Sequence, residues 1–110
     1  MEVSFDDADL AKTCGNEREM LRKYGAVRAK KLQLRLKTLR SAGTLADMRS
    51  LPGRCHELLG GRGGQLSLDL DHPYRLLFRP VDDLPPGPGG GLDWSTVSAV
   101  VVVGIVDTHH

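Results

Sequence analysis

Gln65-Leu66-Ser67-Leu68-Asp69-Leu70, followed after Asp71-His72-Pro73 by Tyr74-Arg75-Leu76-Leu77-Phe78-Arg79, is the stretch on which the fold turns. Its first half alternates Leu66, Leu68 and Leu70 with Gln65, Ser67 and Asp69, the period of two expected of a strand with one buried face. Asp71-His72-Pro73 is turn chemistry, and Tyr74 to Val81 reads as the next strand. Along that strand Arg75, Leu77 and Arg79 share one side while Leu76 and Phe78 share the other, so both arginines face one way and Phe78 packs or stacks the other way.

Upstream, Leu51-Pro52-Gly53 marks the change from helical to extended periodicity, Arg54 to Leu59 is expected to be a strand, and Gly60-Gly61-Arg62-Gly63-Gly64 a flexible turn. That glycine run has neither the strand before it nor the helix after it that a dinucleotide or P-loop motif needs. Downstream, Asp82 to Leu92 is a Pro- and Gly-rich loop with no packing stripe, expected to be mobile. Val97 to Val106 is nearly all apolar, which predicts a central strand covered on both faces.

The N-terminal half reads differently. Glu2 to Phe5 is a short strand, and Asp6, Asp7 and Asp9 place negative charge at the start of a helix running to about Thr13, closed by Gly15-Asn16. From Glu17 to Ser41 the composition is helical, with Leu21, Gly25, Ala29, Leu32, Leu36 and Leu39 on one side. Arg28, Lys30, Lys31, Arg35, Lys37 and Arg40 crowd the rest of the circumference, and Gly25 is a natural point of division. Thr44 with Asp47 resembles a cap for a short turn over Leu45 to Arg49. Helices first and strands after predict an α+β fold, N-terminal helices packed on one face of a small, largely antiparallel twisted sheet.

The 110 residues, of which 40% are hydrophobic, suit a single domain over 1–110. Aromatics are only 5%, so Leu and Val must form most of the core. No leader and no long apolar run is present, which predicts a cytoplasmic protein with no membrane partner. Cys14 and Cys55 lack the spacing of a zinc site and read as reduced thiols. The formal net charge of +1 hides an asymmetry: Arg18 to Arg62 holds 12 Lys and Arg against Glu19, Asp47 and Glu57, a local +9, and the rest carries −8. A basic half of this kind suits a polyanion or an acidic protein, or is simply a solvated helix face.

Arg54, His56, Arg62, Gln65, His72, Arg75 and Arg79 crowd into the strand region. Histidines that exchange protons near neutral pH, beside permanently charged guanidiniums, are what phosphodiester chemistry or RNA binding requires. The runs Leu51-Pro52-Gly53-Arg54-x-His56-x-Leu58, Gly61-Arg62-x-Gly64-Gln65, Tyr74-Arg75-x-x-Phe78-Arg79 and Gly104-Ile105-x-Asp107-x-His109, in this order, resemble the HigB "killer protein" branch of the RelE/ParE toxin superfamily.

The resemblance implies a bacterial type II toxin, an endoribonuclease that needs no metal or other cofactor and cuts messenger RNA during translation on the ribosome. Its implied protein partner is a helix-turn-helix, HigA-like antitoxin. It implies a general acid or base at His109 and a phosphate-binding, transition-state-stabilising arginine at Arg75. His56 and Arg54 share a strand face that joins this chemistry, with Arg62 and Arg79 extending the phosphate track; the alternative is a polar face satisfied by solvent. Gln65 is a candidate to hydrogen-bond RNA or a catalytic neighbour, against a merely solvated glutamine; Asp107 is a candidate to orient His109 or Arg75, against a local hydrogen bond at the strand end; and on the nuclease reading Lys30 and Lys31 on the basic helix are expected to meet ribosomal RNA phosphates. Trp94, in the loop, is the better candidate for stacking on a base, whereas Tyr74 and Phe78 suit the core. Two positions depart from the family pattern: Gly63, where many members have a lysine, and Thr108, where an aromatic is frequent, which suits a weak or narrowly specific nuclease. The alternatives are a ParE-like toxin that acts on gyrase by protein binding and an RNA-binding protein with decayed catalysis.

Overall fold

Asp7 and Asn16 start the two helices. Asp7 accepts a hydrogen bond from Leu10 N at 2.8 Å and opens α1 (Ala8–Cys14). Asn16 accepts from Arg18 N at 2.9 Å and Glu19 N at 3.2 Å and opens α2 (Glu17–Ser41). In each case a side-chain oxygen satisfies N–H groups that a first turn leaves without partners. The structure is a computed structural model that describes residues 1–58, 63–84, 86–87 and 89–107.

Gly25 interrupts α2 with φ 81° and ψ 169°, a conformation that costs glycine little and other residues much. The break resets the helical phase. Met20 is buried in the first segment while Leu21, expected on the buried side, is 52% exposed; past the break Ala29, Leu32, Leu36 and Leu39 are buried as their spacing requires. A short 3-10 turn, Leu45–Ser50, follows, with Asp47 Oδ2 accepting from Gly43 N at 2.8 Å and Thr44 N at 3.4 Å.

The strands β1 (Glu2–Phe5), β2 (His56–Glu57), β3 (Leu66–Asp69), β4 (Tyr74–Pro80) and β5 (Ala99–Asp107) form a five-stranded sheet in the order β1-β5-β4-β3-β2. β1 runs parallel to β5, and the other neighbours are antiparallel. The alternating stretch forms the expected antiparallel pair, with Leu66 opposite Phe78 and Asp69 opposite Arg75. Leu66, Leu68, Leu76, Phe78, Val100 and Val102 point to one face and close a single core with the buried residues of α2. The architecture is therefore α+β, N-terminal helices against one face of a mixed sheet.

Three expectations change. The strand over Arg54 to Leu59 shrinks to His56–Glu57, because Gly53 at φ 115° and Arg54 at φ 50° are still turning; Leu58 N donates to Gln65 O at 2.9 Å, and Leu59 lies outside the described residues. β5 is internal but β4 is the middle strand, and burial on both faces holds for Val100, Val101 and Val102 and not beyond. A bulge at Val103 divides the two halves, since Phe78 pairs with Val102 and Leu77 with Gly104. The loop after β4 is not without packing: Leu84 and Leu92 rest on the core, and Glu57 Oε1 accepts from Leu92 N at 2.7 Å. Among the described residues no helix is long and apolar enough to cross a membrane.

Candidate functional site on the sheet face away from the helices

Because β3 and β4 bury Leu66, Leu68, Leu76 and Phe78 against the helices, Ser67, Asp69, Arg75, Leu77 and Arg79 take the other face. His56, Ser67, Leu77 and Gly104 lie in register across β2, β3, β4 and β5 and form one row; Asp69, Arg75 and Val106 form the next. At Gly104 a Cβ would meet nothing within 4 Å, so the floor at that end of the first row is level and open.

At the β2 end of these rows, charged and titratable groups converge. His56 Nδ1 lies 2.8 Å from Arg54 O, and its Nε2 lies 3.3 Å from Arg75 Nη1 and 3.4 Å from Ser67 Oγ. A carbonyl can only accept, so Nδ1 carries the proton and donates it; a guanidinium can only donate, so Nε2 is the acceptor. In the tautomer that satisfies both contacts the Nε2 lone pair is turned toward Arg75. Arg75 Nε lies 3.6 Å from Asp69 Oδ1, and Arg54 Nε donates to Asp69 Oδ2 at 2.5 Å. Asp69 itself is held by main-chain contacts: its N donates to Gly53 O at 2.8 Å, and its O accepts from Arg35 Nε at 2.8 Å.

The remaining candidates are distributed elsewhere. Arg79 shares the face of Arg75 but sits at its far end, donating to Pro80 O at 3.3 Å and lying 3.7 Å from Asp6 Oδ1. Gln65 borders the first row, and its Oε1 is buried with no hydrogen bond. Asp107 closes β5 in register with Tyr74, next along the strand from the Arg75–Val106 pair, and Asp69 sets a carboxylate 3.6 Å from Arg75. Lys30 and Lys31 are exposed on α2, in the helical layer; Lys30 lines a groove of about 910 Å³ with Arg18, Leu21 and Ala26 that carries no histidine. Arg62 and His109 lie outside the described residues, as do Thr108 and His110.

Trp94 does not project from a mobile loop. It sits in a 3-10 turn, Trp94–Thr96, buried, with the Arg49 guanidinium 4.3 Å from its ring centre, so packing rather than base stacking occupies the indole. Tyr74 is similarly engaged: Arg28 lies 3.4 Å over its ring and forms a two-pronged pair with Asp71 at 3.1 and 3.2 Å, tying α2 to the β3–β4 turn. Burial pushes the Cys14 thiol up to about 11 and the Cys55 thiol up to about 12, and both are free. Among the described residues no three His, Cys, Asp or Glu side chains gather as metal ligands.

The residues that reading by motif missed are Ser67 and Asp69. Their signal was present as the polar half of an alternating strand, but only the register sets Ser67 beside His56 and Asp69 beside Arg75. The cluster can present a neutral imidazole lone pair next to a guanidinium, which suits accepting a proton beside a bound phosphate. Comparison of the chain with protein-family models and with curated proteins finds no match.

Proposed function

We propose that this protein is a cytoplasmic endoribonuclease toxin that cuts messenger RNA on the ribosome and is held in check by a helix-turn-helix, HigA-like antitoxin. What carries the reading is the contact of 3.3 Å between His56 Nε2 and Arg75 Nη1, with His56 Nδ1 fixed on Arg54 O at 2.8 Å. A lone pair beside a phosphate-seeking fork is the minimum that RNA cleavage through its own 2′-hydroxyl requires.

In this scheme Arg75 binds the scissile phosphodiester through its forked N–H groups. Binding the phosphate draws Arg75 Nη1 off His56 Nε2, the freed lone pair takes the 2′-hydroxyl proton, the 2′-oxygen attacks phosphorus, and the charge that builds on the phosphoryl oxygens is met by Arg75. The 5′-oxygen leaves with a proton; the resemblance implies His109 as general acid or base, and with His56 as the base this scheme gives it the acid's part. The products are a 2′,3′-cyclic phosphate and a 5′-hydroxyl. Arg54, which shares the Asp69 carboxylate with Arg75, joins it in holding that phosphate, and exposed Lys30 and Lys31 meet ribosomal RNA, with binding that weakens steeply as salt rises.

The test is to add the purified protein to ribosomes programmed with a defined message and map the new 5′ ends. The reading expects discrete cuts with the native protein and none with Arg75→Ala. Uncut message at every protein concentration, in a system where a known ribosome-dependent nuclease cuts, overturns it.

A further inference from the structure

We propose that Asp69 is a built-in competitor for the phosphate that Arg54 and Arg75 receive, so that substrate binding exchanges one anion for another; the inference rests on reading this site as one that handles phosphate. One carboxylate spans two guanidiniums from different segments, Arg54 in the turn before β2 and Arg75 in β4. Its two oxygens divide between them, Oδ2 at 2.5 Å from Arg54 Nε and Oδ1 at 3.6 Å from Arg75 Nε. The two non-bridging oxygens of a phosphodiester offer the same two-pronged contact.

The two halves of the bridge differ in quality. The Arg54 side is a short, charge-assisted hydrogen bond, whereas 3.6 Å is too long for one, and Asp69 Oδ1 is buried with no hydrogen bond. Arg75 is thus attracted by Asp69 without being bound to it, and its Nη1 stays on His56 Nε2 at 3.3 Å. An incoming phosphate supplies Arg75 with the acceptor that Asp69 only approaches, and draws Arg54, whose side chain is 70% exposed, away from the carboxylate. Asp69 keeps its place through the exchange, because its main chain is bonded to Gly53 O and Arg35 Nε independently of the carboxylate.

Removing the charge therefore frees both arginines without dismantling the strand. In an NMR titration of the arginine Nε–H signals with inorganic phosphate, Asp69→Asn is expected to bind about fivefold more tightly than the native protein, the size set by two partly exposed ion pairs. The shifts should centre on Arg54 and Arg75, and the gain should disappear in Asp69→Asn/Arg54→Ala. Asp69→Ser serves as the second variant should the amide disturb the backbone spectrum. Phosphate binding by Asp69→Asn and Asp69→Ser no tighter than native, or a gain without shifts at the two arginines, overturns the inference. A gain in phosphate binding together with a native protein that cuts no RNA supports the inference and rejects the nuclease. RNA cutting by the native protein with no gain in either variant rejects the inference alone.

Discussion

His56 has its part in this site through one backbone carbonyl. Arg54 O accepts a hydrogen bond from Nδ1–H, which leaves the other nitrogen as an acceptor facing Arg75, and the positive φ of 50° at Arg54 accompanies that placement. His56→Ala is expected to lower the cleavage rate by about 10²- to 10⁴-fold, the usual worth of a positioned base. Arg75→Lys keeps the charge and loses the fork, so a drop of about 10²-fold or more is expected in single-turnover assays. A second prediction concerns the thiols. Unfolded cysteines ionise near 9.0, whereas folded Cys14 and Cys55 hold their protons to about 11 and about 12. Above pH 9 the unfolded state therefore binds fewer protons than the folded one, and stability falls as pH rises toward the folded values. The contribution of buried Cys14 is on the order of 2 kcal/mol, and urea melts of Cys14→Ala/Cys55→Ala should show a shallower fall than the native protein between pH 9 and pH 11.

At the scale of elements, α2 depends on two devices. Gly25→Ala places a side chain at φ 81°, where space is open but the backbone conformation is costly for an L-residue, so a loss of about 1–2 kcal/mol in urea unfolding is expected. Arg28→Ala removes both the pair to Asp71 and the cover over Tyr74, and a similar loss of about 1–2 kcal/mol is expected, read as a lower thermal midpoint. The same elements show why some of the fold was readable and some was not. The β3–β4 pairing followed from Leu66, Leu68 and Leu70 alternating before Asp71-His72-Pro73, because period two and a turn are local properties. Leu21 was misread because a helix period carries across Gly25 only when the helix does. Trp94 was misread because a Gly- and Pro-rich loop says nothing about what Arg49, far away in sequence, will cover.

Across the whole molecule, the proposed chemistry and the excess charge sit in different layers. Exposed Lys30 and Lys31 of α2 lie in the helical layer, whereas His56, Arg54 and Arg75 meet on the other face of the sheet, and of the basic residues of α2 Arg28 and Arg35 reach the sheet strands and their turn. Motif and residue type single out Arg75 and His56, which the fold brings to 3.3 Å of each other, whereas the Asp69 bridge was not readable, since it exists only once β2, β3 and β4 are in register. The separation predicts that Lys30→Ala/Lys31→Ala weakens ribosome binding and flattens its salt dependence while cleavage of a saturating message is little changed. The most direct test of the central claim is the chemistry of the 3′ ends left on message translated with this protein. 2′,3′-Cyclic phosphates paired with 5′-hydroxyls are expected, present with the native chain and lost with His56→Ala; 3′-hydroxyl ends, or cyclic ends undiminished in His56→Ala, would contradict a nuclease in which His56 is the base.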